Sequence, residues 1–242
     1  MKKRARIILS VCLAVLLVIG IGGYAYMSDY YHADETALEA MAYQTDRVQT
    51  ELDGDVIWFV PKEPTAGLIF YPGGKVENTA YAPLLRACAE NGILCALVRM
   101  PGNLAVLDAN AADGLQQEHP EITTWYIAGH SLGGAMAANY AAAHSEDFDG
   151  LIMLAAYSTK DLTGTPLRVL SVYGSEDGVM NRESYEKNRA NLPADTTEVV
   201  LDGGCHAQFG CYGPQAGDGI PAISGEEQLQ KTTEAITVFI RR

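Results

Sequence analysis

The sequence predicts an α/β fold in which a mostly parallel sheet is covered by helices. Two observations carry this prediction. Short β-prone runs alternate with helical stretches along most of the chain. The later runs, such as LIMLAA at 151–156, are continuously apolar, as expected for strands that are buried on both faces. A length of 242 residues suits one domain with a hydrophobic core of ordinary size.

Residues 1–27 predict a membrane anchor ahead of this domain. Four basic residues precede an apolar run at 7–21, and the uncharged stretch continues to Met27. About 21 uncharged residues suffice for one membrane-spanning helix. The basic end should stay cytoplasmic, which places the domain outside the membrane as a single-pass protein. The alternative is a cleaved signal peptide with a weak site at Gly23-Tyr24-Ala25, which would release a secreted domain.

The elements follow in order after the anchor. Residues 28–44 are predicted as a juxtamembrane linker with a helix that begins near residue 33, and 45–242 as the domain. A hairpin turns at Asp53-Gly54 between VQTEL and VIWFV, because D-G between β-prone runs favours a tight turn. No segment is long enough for a lid. Further strands are predicted at 67–72, 93–98, 123–129, 151–156, 168–174 and 197–203, and further helices at 80–91, 103–118, 133–145, 182–191 and 226–241.

Charge and cysteine content narrow the functional classes. The net charge of -13 argues against nucleic acid as a partner, because phosphate binding needs a basic face.

Four cysteines lie outside the leader, and an exported domain can form disulfides. Cys205 and Cys211 are the first candidates for a pair, since they are six positions apart in a loop-like stretch. Cys88 and Cys95 are interpreted as buried apolar residues.

The stretch WYIAGHSLGG at 125–134 places a serine between a predicted strand and a predicted helix. Ser131 has a glycine two positions before it and another two positions after it. This G-x-S-x-G pattern, in a strand–turn–helix context, is typical of a nucleophilic serine on a sharp turn. The alternative is a structural or phosphate-binding turn.

A serine hydroxyl needs a base and an orienting acid. His206 follows the last predicted strand, and the carboxyl ends of parallel strands are where α/β sheets bind ligands. The neighbouring His130 is a poorer candidate, because a tight turn should point its side chain away from Ser131. Asp177 follows the strand that ends in VYG and is the preferred acid, with Glu176 as an alternative.

Acyl transfer also needs N–H donors for a developing oxyanion. The N–H of Leu132, directly after the serine, is one candidate. The second should come from the loop YPGGKV after the first parallel strand. Gly74 is the main candidate there, and Lys75 is the alternative.

Together these residues resemble the α/β-hydrolase superfamily. The stretches FYPGGKVENTAYAPLLRACAENGI, GHSLGGAMAANYAA and CHAQFG are similar to small bacterial hydrolases near the dienelactone-hydrolase branch, many with an N-terminal anchor. The resemblance covers about residues 45–241 and implies an eight-stranded, mostly parallel sheet with little or no lid. It implies Ser131 as nucleophile, Asp177 as acid, His206 as base, and an oxyanion loop at residues 73–75.

The sequence departs from the pattern of the superfamily at Tyr71-Pro72, where many members have a His-Gly start. A dienelactone hydrolase proper would have a cysteine in place of Ser131.

The sequence therefore predicts a membrane-anchored serine hydrolase that acts on a small ester or related acyl substrate, without metal or cofactor. A thioesterase or amidase with the same residues is an alternative within that class. From another class, a hydrolase-shaped binding protein without activity is also compatible with the fold.

Overall fold

The computed structural model describes residues 2–242. These divide into two compact units, one ending at Tyr30 and the other comprising Tyr31–Arg242. The first unit consists mainly of helix α1, Lys2–Ser28. Its segment Ile7–Ser28 is long and apolar enough to cross a membrane, so α1 is a candidate anchor by length and composition.

The second unit is an alternation of strands and helices. The strands are β1 Val48–Asp53, β2 Val56–Pro61, β3 Ala66–Tyr71, β4 Ile93–Val98, β5 Trp125–His130, β6 Gly150–Leu154, β7 Arg168–Gly174 and β8 Thr196–Leu201. The helices are α2 Glu35–Ala42, α3 Ala82–Glu90, α4 Leu115–Glu118, α5 Leu132–Ala143, α6 Arg182–Asn188 and α7 Gly225–Ile240. Each of α2, α6 and α7 begins with a side-chain cap, from Asp34, Asn181 and Ser224 respectively.

The eight strands form one sheet in the order β1-β2-β4-β3-β5-β6-β7-β8. The hairpin β1–β2 is antiparallel, and β2 also pairs antiparallel with β4. All later pairings, from β4–β3 across to β7–β8, are parallel. The carboxyl ends of β3, β5, β7 and β8 therefore open at one edge of the sheet, which is where α/β sheets usually hold ligands. The predicted mostly parallel, eight-stranded sheet is confirmed.

Two apolar cores cover the two faces of the sheet. One packs α3 and α7 against the sheet through residues such as Leu84, Leu85 and Phe239. The other packs α5 through its alanines, including Ala137, Ala138 and Ala141. Because the central strands are covered on both sides, every residue of β3, β4, β5 and β6 is buried. This burial explains their uninterrupted apolar sequences.

The helix predicted over 103–118 is wrong. That segment contains 3-10 turns at Pro101–Asn103 and Ala105–Leu107, and only Leu115–Glu118 is α-helical. Gly114 adopts φ 86°, which interrupts a right-handed helix. The buried Tyr71 hydroxyl donates to the carbonyl of Ala109 and accepts the N–H of Ala112. These bonds satisfy the backbone without a helix.

Residues 31–34, which we call the entry strap, run along two loops of the second unit. Tyr31 donates its N–H to the Lys75 carbonyl at 2.7 Å and accepts the Glu77 N–H at 2.9 Å. Three residues later, the Asp34 N–H donates to the Cys211 carbonyl at 2.9 Å. The entry strap thus ties the loop after β3 to the loop after β8, and part of the expected juxtamembrane linker is built into the folded unit.

Candidate active site

Ser131 occupies a strained turn between β5 and α5. Its backbone has φ 53° and ψ -122°, a region that costs a non-glycine residue about 1–3 kcal/mol and is concentrated at functional sites. The N–H of Ser131 donates to the Leu154 carbonyl of β6, and its carbonyl accepts the first bond of α5 from Ala135. A side chain at Gly129 would lie 2.5 Å from the carbonyl carbon of Gly133. Glycine is therefore required at position 129, because the backbone there lies in contact with the backbone of Gly133 across the turn.

His206 and Asp177 meet at the carboxyl edge of the sheet. The Nδ1 of His206 lies 2.9 Å from Oδ2 of Asp177, and both side chains are almost fully buried. The other oxygen, Oδ1, accepts the N–H groups of Val179 at 2.9 Å and Met180 at 2.8 Å. Since a carboxylate only accepts, Nδ1 carries the proton and Nε2 presents a lone pair. The pairing expected between the two loops is present.

The Nε2 atom of His206 is buried and makes no hydrogen bond within residues 2–242. The Ser131 hydroxyl, which is partly exposed, is not hydrogen-bonded to it. In hydrolytic sites a serine–histidine hydrogen bond can form only once substrate binds. An unpartnered acceptor on a buried, carboxylate-bound imidazole is a group prepared to take a proton.

The two preferred oxyanion donors lie against each other. A Cβ at Gly74 would be 2.8 Å from Cδ2 and 3.3 Å from Cβ of Leu132, so this loop packs directly against the first side chain of α5. As the first residue of α5, Leu132 has no intrahelical acceptor for its N–H. Across the part of the chain that the structure describes, the N–H of Gly74 also has no recorded acceptor.

The N–H of Lys75, the alternative donor, is engaged in another hydrogen bond. It donates to the carbonyl of Asn103 at 2.7 Å, and the φ of Lys75 is 59°. A glycine-rich loop can aim any of several amides, and this contact leaves Gly74 as the preferred candidate.

His130 is hydrogen-bonded away from Ser131. Its Nδ1 lies 2.8 Å from the Tyr81 hydroxyl, and that hydroxyl also accepts the N–H of Gly73 at 3.0 Å. The Tyr81 hydroxyl thus bridges Nδ1 of His130 and the N–H of Gly73. Burial, followed by the adjacent His206 imidazole, holds the pKa of His130 well below its usual 6.5. These two hydrogen bonds connect Gly73, Tyr81 and His130, and they support the loop that carries Gly74.

Sequence reasoning missed two residues of this region, Tyr81 and Asp218. The carboxylate of Asp218 accepts backbone N–H groups from both the His206 loop and the Asp177 loop. Neither residue belongs to a motif. Asp218-Gly219 reads as an ordinary turn, and Tyr81 reads as a core aromatic, so neither offered a signal in the sequence.

The expected disulfide is not formed: Cys205 and Cys211 are both free thiols. The surroundings of the two thiols differ. Burial raises the pKa of the Cys205 thiol to about 11, and Asp218 beside it raises it further. Burial likewise raises the pKa of Cys211 to about 12, with Asp34 as its charged neighbour. Each thiol therefore faces a different carboxylate.

No group of three or more His, Cys, Asp or Glu side chains among residues 2–242 is arranged to hold a metal ion.

A groove of about 1360 Å³ lies between α3, α7 and the loop after β8. Its lining includes Cys205, Ala207 and Asp218 but neither Ser131 nor His206.

Comparison with known proteins agrees with this architecture. The model of the Alpha/beta hydrolase family matches residues 67–230, which is more than half of the chain. None of the curated proteins matches the sequence significantly.

Solved structures share the fold at low sequence identity. TT1662 from Thermus thermophilus has a TM-score of 0.58 at 15% identity, with 81% of this chain and 99% of that chain covered. Est1E from Butyrivibrio proteoclasticus gives 0.58 at 16%, with 81% and 98% covered. A dienelactone hydrolase from Anabaena variabilis gives 0.59 at 15%, with 78% and 97% covered. The sheet order, the turn at Ser131 and the family match agree, and the chain belongs to the alpha/beta hydrolase family.

Proposed function

We propose that this protein is a serine hydrolase that cleaves carboxylic esters through an acyl-enzyme, with Ser131, His206 and Asp177 as its catalytic residues. The observation that carries the proposal is the buried His206–Asp177 pair at the sheet edge where β5 leads into Ser131, together with the Nε2 of His206, which has no hydrogen-bond partner among the described residues. The structures of similar fold support a hydrolase, and these side chains support the finer assignment.

In the proposed first half-reaction, His206 Nε2 takes the proton of the Ser131 hydroxyl while Oγ attacks the ester carbonyl carbon. The carbonyl oxygen becomes an oxyanion that accepts hydrogen bonds from the N–H groups of Gly74 and Leu132. Asp177 stabilises the imidazolium without taking its proton. The oxyanion then collapses, the C–O bond breaks, and the alcohol leaves with the proton from Nε2.

In the second half-reaction, water replaces the alcohol. His206 takes a proton from water, hydroxide attacks the acyl carbonyl, and Ser131 leaves with the proton that His206 returns. The acid product is released and the serine hydroxyl is restored. The dipole at the start of α5 favours the negative charge that develops beside Leu132 in both steps.

Turnover of a substrate panel tests this proposal. We expect the full-length protein to hydrolyse short p-nitrophenyl esters and Ser131→Ala to lose kcat by about 10⁴-fold or more. Ser145→Ala, at a serine with no side-chain hydrogen bond recorded among residues 2–242, should keep wild-type rates.

Faster Ser131-dependent turnover of thioesters or anilides than of esters would move the assignment to a thioesterase or an amidase. Absence of turnover with every substrate class, together with no Ser131-dependent labelling by a fluorophosphonate, would favour the binding-protein alternative and reject the proposal.

We also propose that α1 anchors the enzyme with its domain outside the membrane. The basic residues before Ile7 support this orientation, since positive charge stays cytoplasmic. A reporter fused after Arg242 should be active only outside the cytoplasm, and a cytoplasmic reporter signal would contradict the orientation. The mass of the mature chain separates an intact anchor from a cleaved signal peptide.

A further inference from the structure

Asp218 makes an unusual number of backbone hydrogen bonds for a loop residue. Its Oδ1 accepts N–H groups from Gly178 at 3.1 Å, His206 at 3.1 Å and Gly219 at 2.8 Å. Its Oδ2 accepts the N–H of Ala207 at 2.8 Å. The Cys205 thiol is a further hydrogen-bond donor to this carboxylate, so Asp218 bonds four backbone N–H groups and one side chain.

These donors belong to the two loops that bring the buried pair together. Gly178 directly follows Asp177, and His206 and Ala207 begin the 3-10 turn after β8. Asp218 is thus a single side chain bonded to the backbone on both sides of the 2.9 Å contact between His206 and Asp177.

The loop that carries Asp218 is itself packed tightly onto the Asp177 loop. A Cβ at Gly178 would lie 2.6 Å from the Gly217 carbonyl oxygen, and a Cβ at Gly219 would overlap the Glu176 carbonyl oxygen. Glycine at both positions lets two backbones touch. The separation of these loops is therefore fixed by close packing and by the Asp218 carboxylate together.

The charge state of Asp218 suits this role. Burial opposes its ionisation, yet the N–H groups of Ala207, Gly178 and His206 outweigh that effect and lower its pKa below 3.8. Hydrogen bonds from N–H groups to an ionised carboxylate are stronger and shorter than those to a neutral acceptor.

We propose that Asp218 is a positioning residue that holds the backbone of His206 at the distance from the Asp177 loop at which their side chains hydrogen-bond. Its effect on turnover rests on the proposed function. Its effect on the His206–Asp177 bond does not, because that bond can be observed without turnover.

The surrounding structure predicts that a variant without the Asp218 carboxylate will still fold. Other bonds join the same loops without Asp218. The N–H of Glu176 donates to the Gly204 carbonyl at 2.8 Å, and the N–H of Gly203 donates to the Ser175 hydroxyl at 2.8 Å. Loss of Asp218 should therefore loosen the register of His206 while the connection between the loops persists.

The test compares Asp218→Asn with Asp202→Asn in the full-length chain in detergent micelles. Asp202 is exposed, lies four positions before His206, and accepts no hydrogen bond recorded among residues 2–242, so its variant matches the charge change alone. The readouts are kcat and KM for a p-nitrophenyl ester and the NMR resonance of the His206 Nδ1 proton. That resonance is identified by its loss in His206→Gln, and all assays are run below the melting midpoint of every variant.

We expect Asp218→Asn to lower kcat by about 10- to 100-fold with KM nearly unchanged, the size of loss expected from misplacing a reacting group by about 1 Å. The Nδ1 proton resonance should weaken or move, and Asp202→Asn should change neither readout. A milder variant, Asp218→Glu, keeps the charge and should fall between Asp218→Asn and wild type.

The proposal would be overturned by wild-type kcat in Asp218→Asn, by an unchanged Nδ1 resonance despite lower kcat, or by equal losses in Asp202→Asn. Recovery of full kcat on cooling would also overturn it, because the role would then be stability alone. An inactive wild-type protein would reject the proposed function, while the Nδ1 resonance would still decide the positioning role of Asp218.

Discussion

At the scale of single residues, Asp177 divides its two oxygens between two tasks. One oxygen binds Nδ1 of His206, and the other accepts the N–H groups of Val179 and Met180. The backbone bonds fix the carboxylate before any substrate arrives. Glu176, the neighbouring carboxylate, is exposed, and within residues 2–242 its side chain accepts only the Ser175 hydroxyl, so it lacks such support.

Asp177→Asn should leave the fold intact and lower kcat by about 10⁴-fold. The asparagine oxygen can keep the two backbone bonds, which turns its NH₂ group toward His206. That contact makes Nδ1 an acceptor and moves the proton to Nε2, where it blocks transfer from Ser131. Steady-state kinetics measures the loss, with Glu176→Gln as the control that should stay within about twofold of wild type. Turnover by Asp177→Asn at the wild-type rate would refute the role of the carboxylate.

Because the folded protein keeps His130 neutral, we expect its free energy of unfolding to fall at acid pH. Its pKa in the folded state is held well below 6.5, whereas the unfolded chain should titrate near that value. Above about pH 6.5 His130 is neutral in both the folded and the unfolded state, so its titration does not change the free energy of unfolding. As pH falls below 6.5 the unfolded state binds the proton first, and stability declines by up to about 1.4 kcal/mol per pH unit until the folded pKa is reached.

Urea unfolding of wild type and His130→Gln at about pH 7.5 and about pH 5 measures this effect, because glutamine does not titrate. We expect acidification to destabilise the wild type more than His130→Gln, by about 1–2 kcal/mol. Parallel pH dependence of the two proteins would show that His130 is not held neutral.

The candidate residues that sequence could identify are those at the ends of strands. Ser131, Asp177 and His206 each follow a recognisable β-run, and parallel strands open at one edge, so the pairing of His206 with Asp177 could be predicted. Asp218 and Tyr81 act through backbone N–H groups of distant loops, 12 and eight positions away from His206 and Gly73. Such contacts depend on the folded loop path, which no local pattern encodes.

At the scale of elements, the turn between β5 and α5 depends on Gly133. A Cβ there would overlap the carbonyl oxygens of Pro72 and Tyr71 at the end of β3. Helix α5 thus begins in contact with the backbone that leads to the Gly74 loop. This contact brings the start of α5 and the oxyanion loop together.

Gly133→Ala should destabilise the protein by about 1–3 kcal/mol, since backbone atoms cannot move aside as a flexible side chain would. It should also lower turnover by displacing the Gly74 loop from Leu132. Gly164→Ala is the matched control, because nothing lies within 4 Å of its added Cβ. Urea unfolding should show a change below about 1 kcal/mol for the control. Equal stability of the two variants would refute the packing argument.

Most elements followed from sequence because propensity and burial agree along the strands. The segment 103–118 did not, because its alanines and leucines suit a helix while its contacts favour turns. Tyr71, on β3, supplies a hydroxyl that satisfies Ala109 and Ala112. A tertiary hydrogen bond from a distant strand thus overrides local helix propensity.

At the scale of the whole molecule, charge and apolar surface are divided between the two units. The leader carries four basic residues and no acid before Ser28, and the remainder of the chain has a net charge of -17. Tyr31–Arg242 forms a compact unit of its own, and the chains of similar fold are covered almost in full. The folded unit therefore corresponds to an entire hydrolase fold.

The residue that reacts with an acyl-type probe identifies the nucleophile. The full-length protein is labelled with a fluorophosphonate, digested, and its adduct located by tandem mass spectrometry. We expect one adduct, on Ser131, which is lost in Ser131→Ala and forms about 10³-fold or more slowly in His206→Gln. An adduct on another residue, or ester turnover without any adduct on Ser131, would show that Ser131 is not the nucleophile.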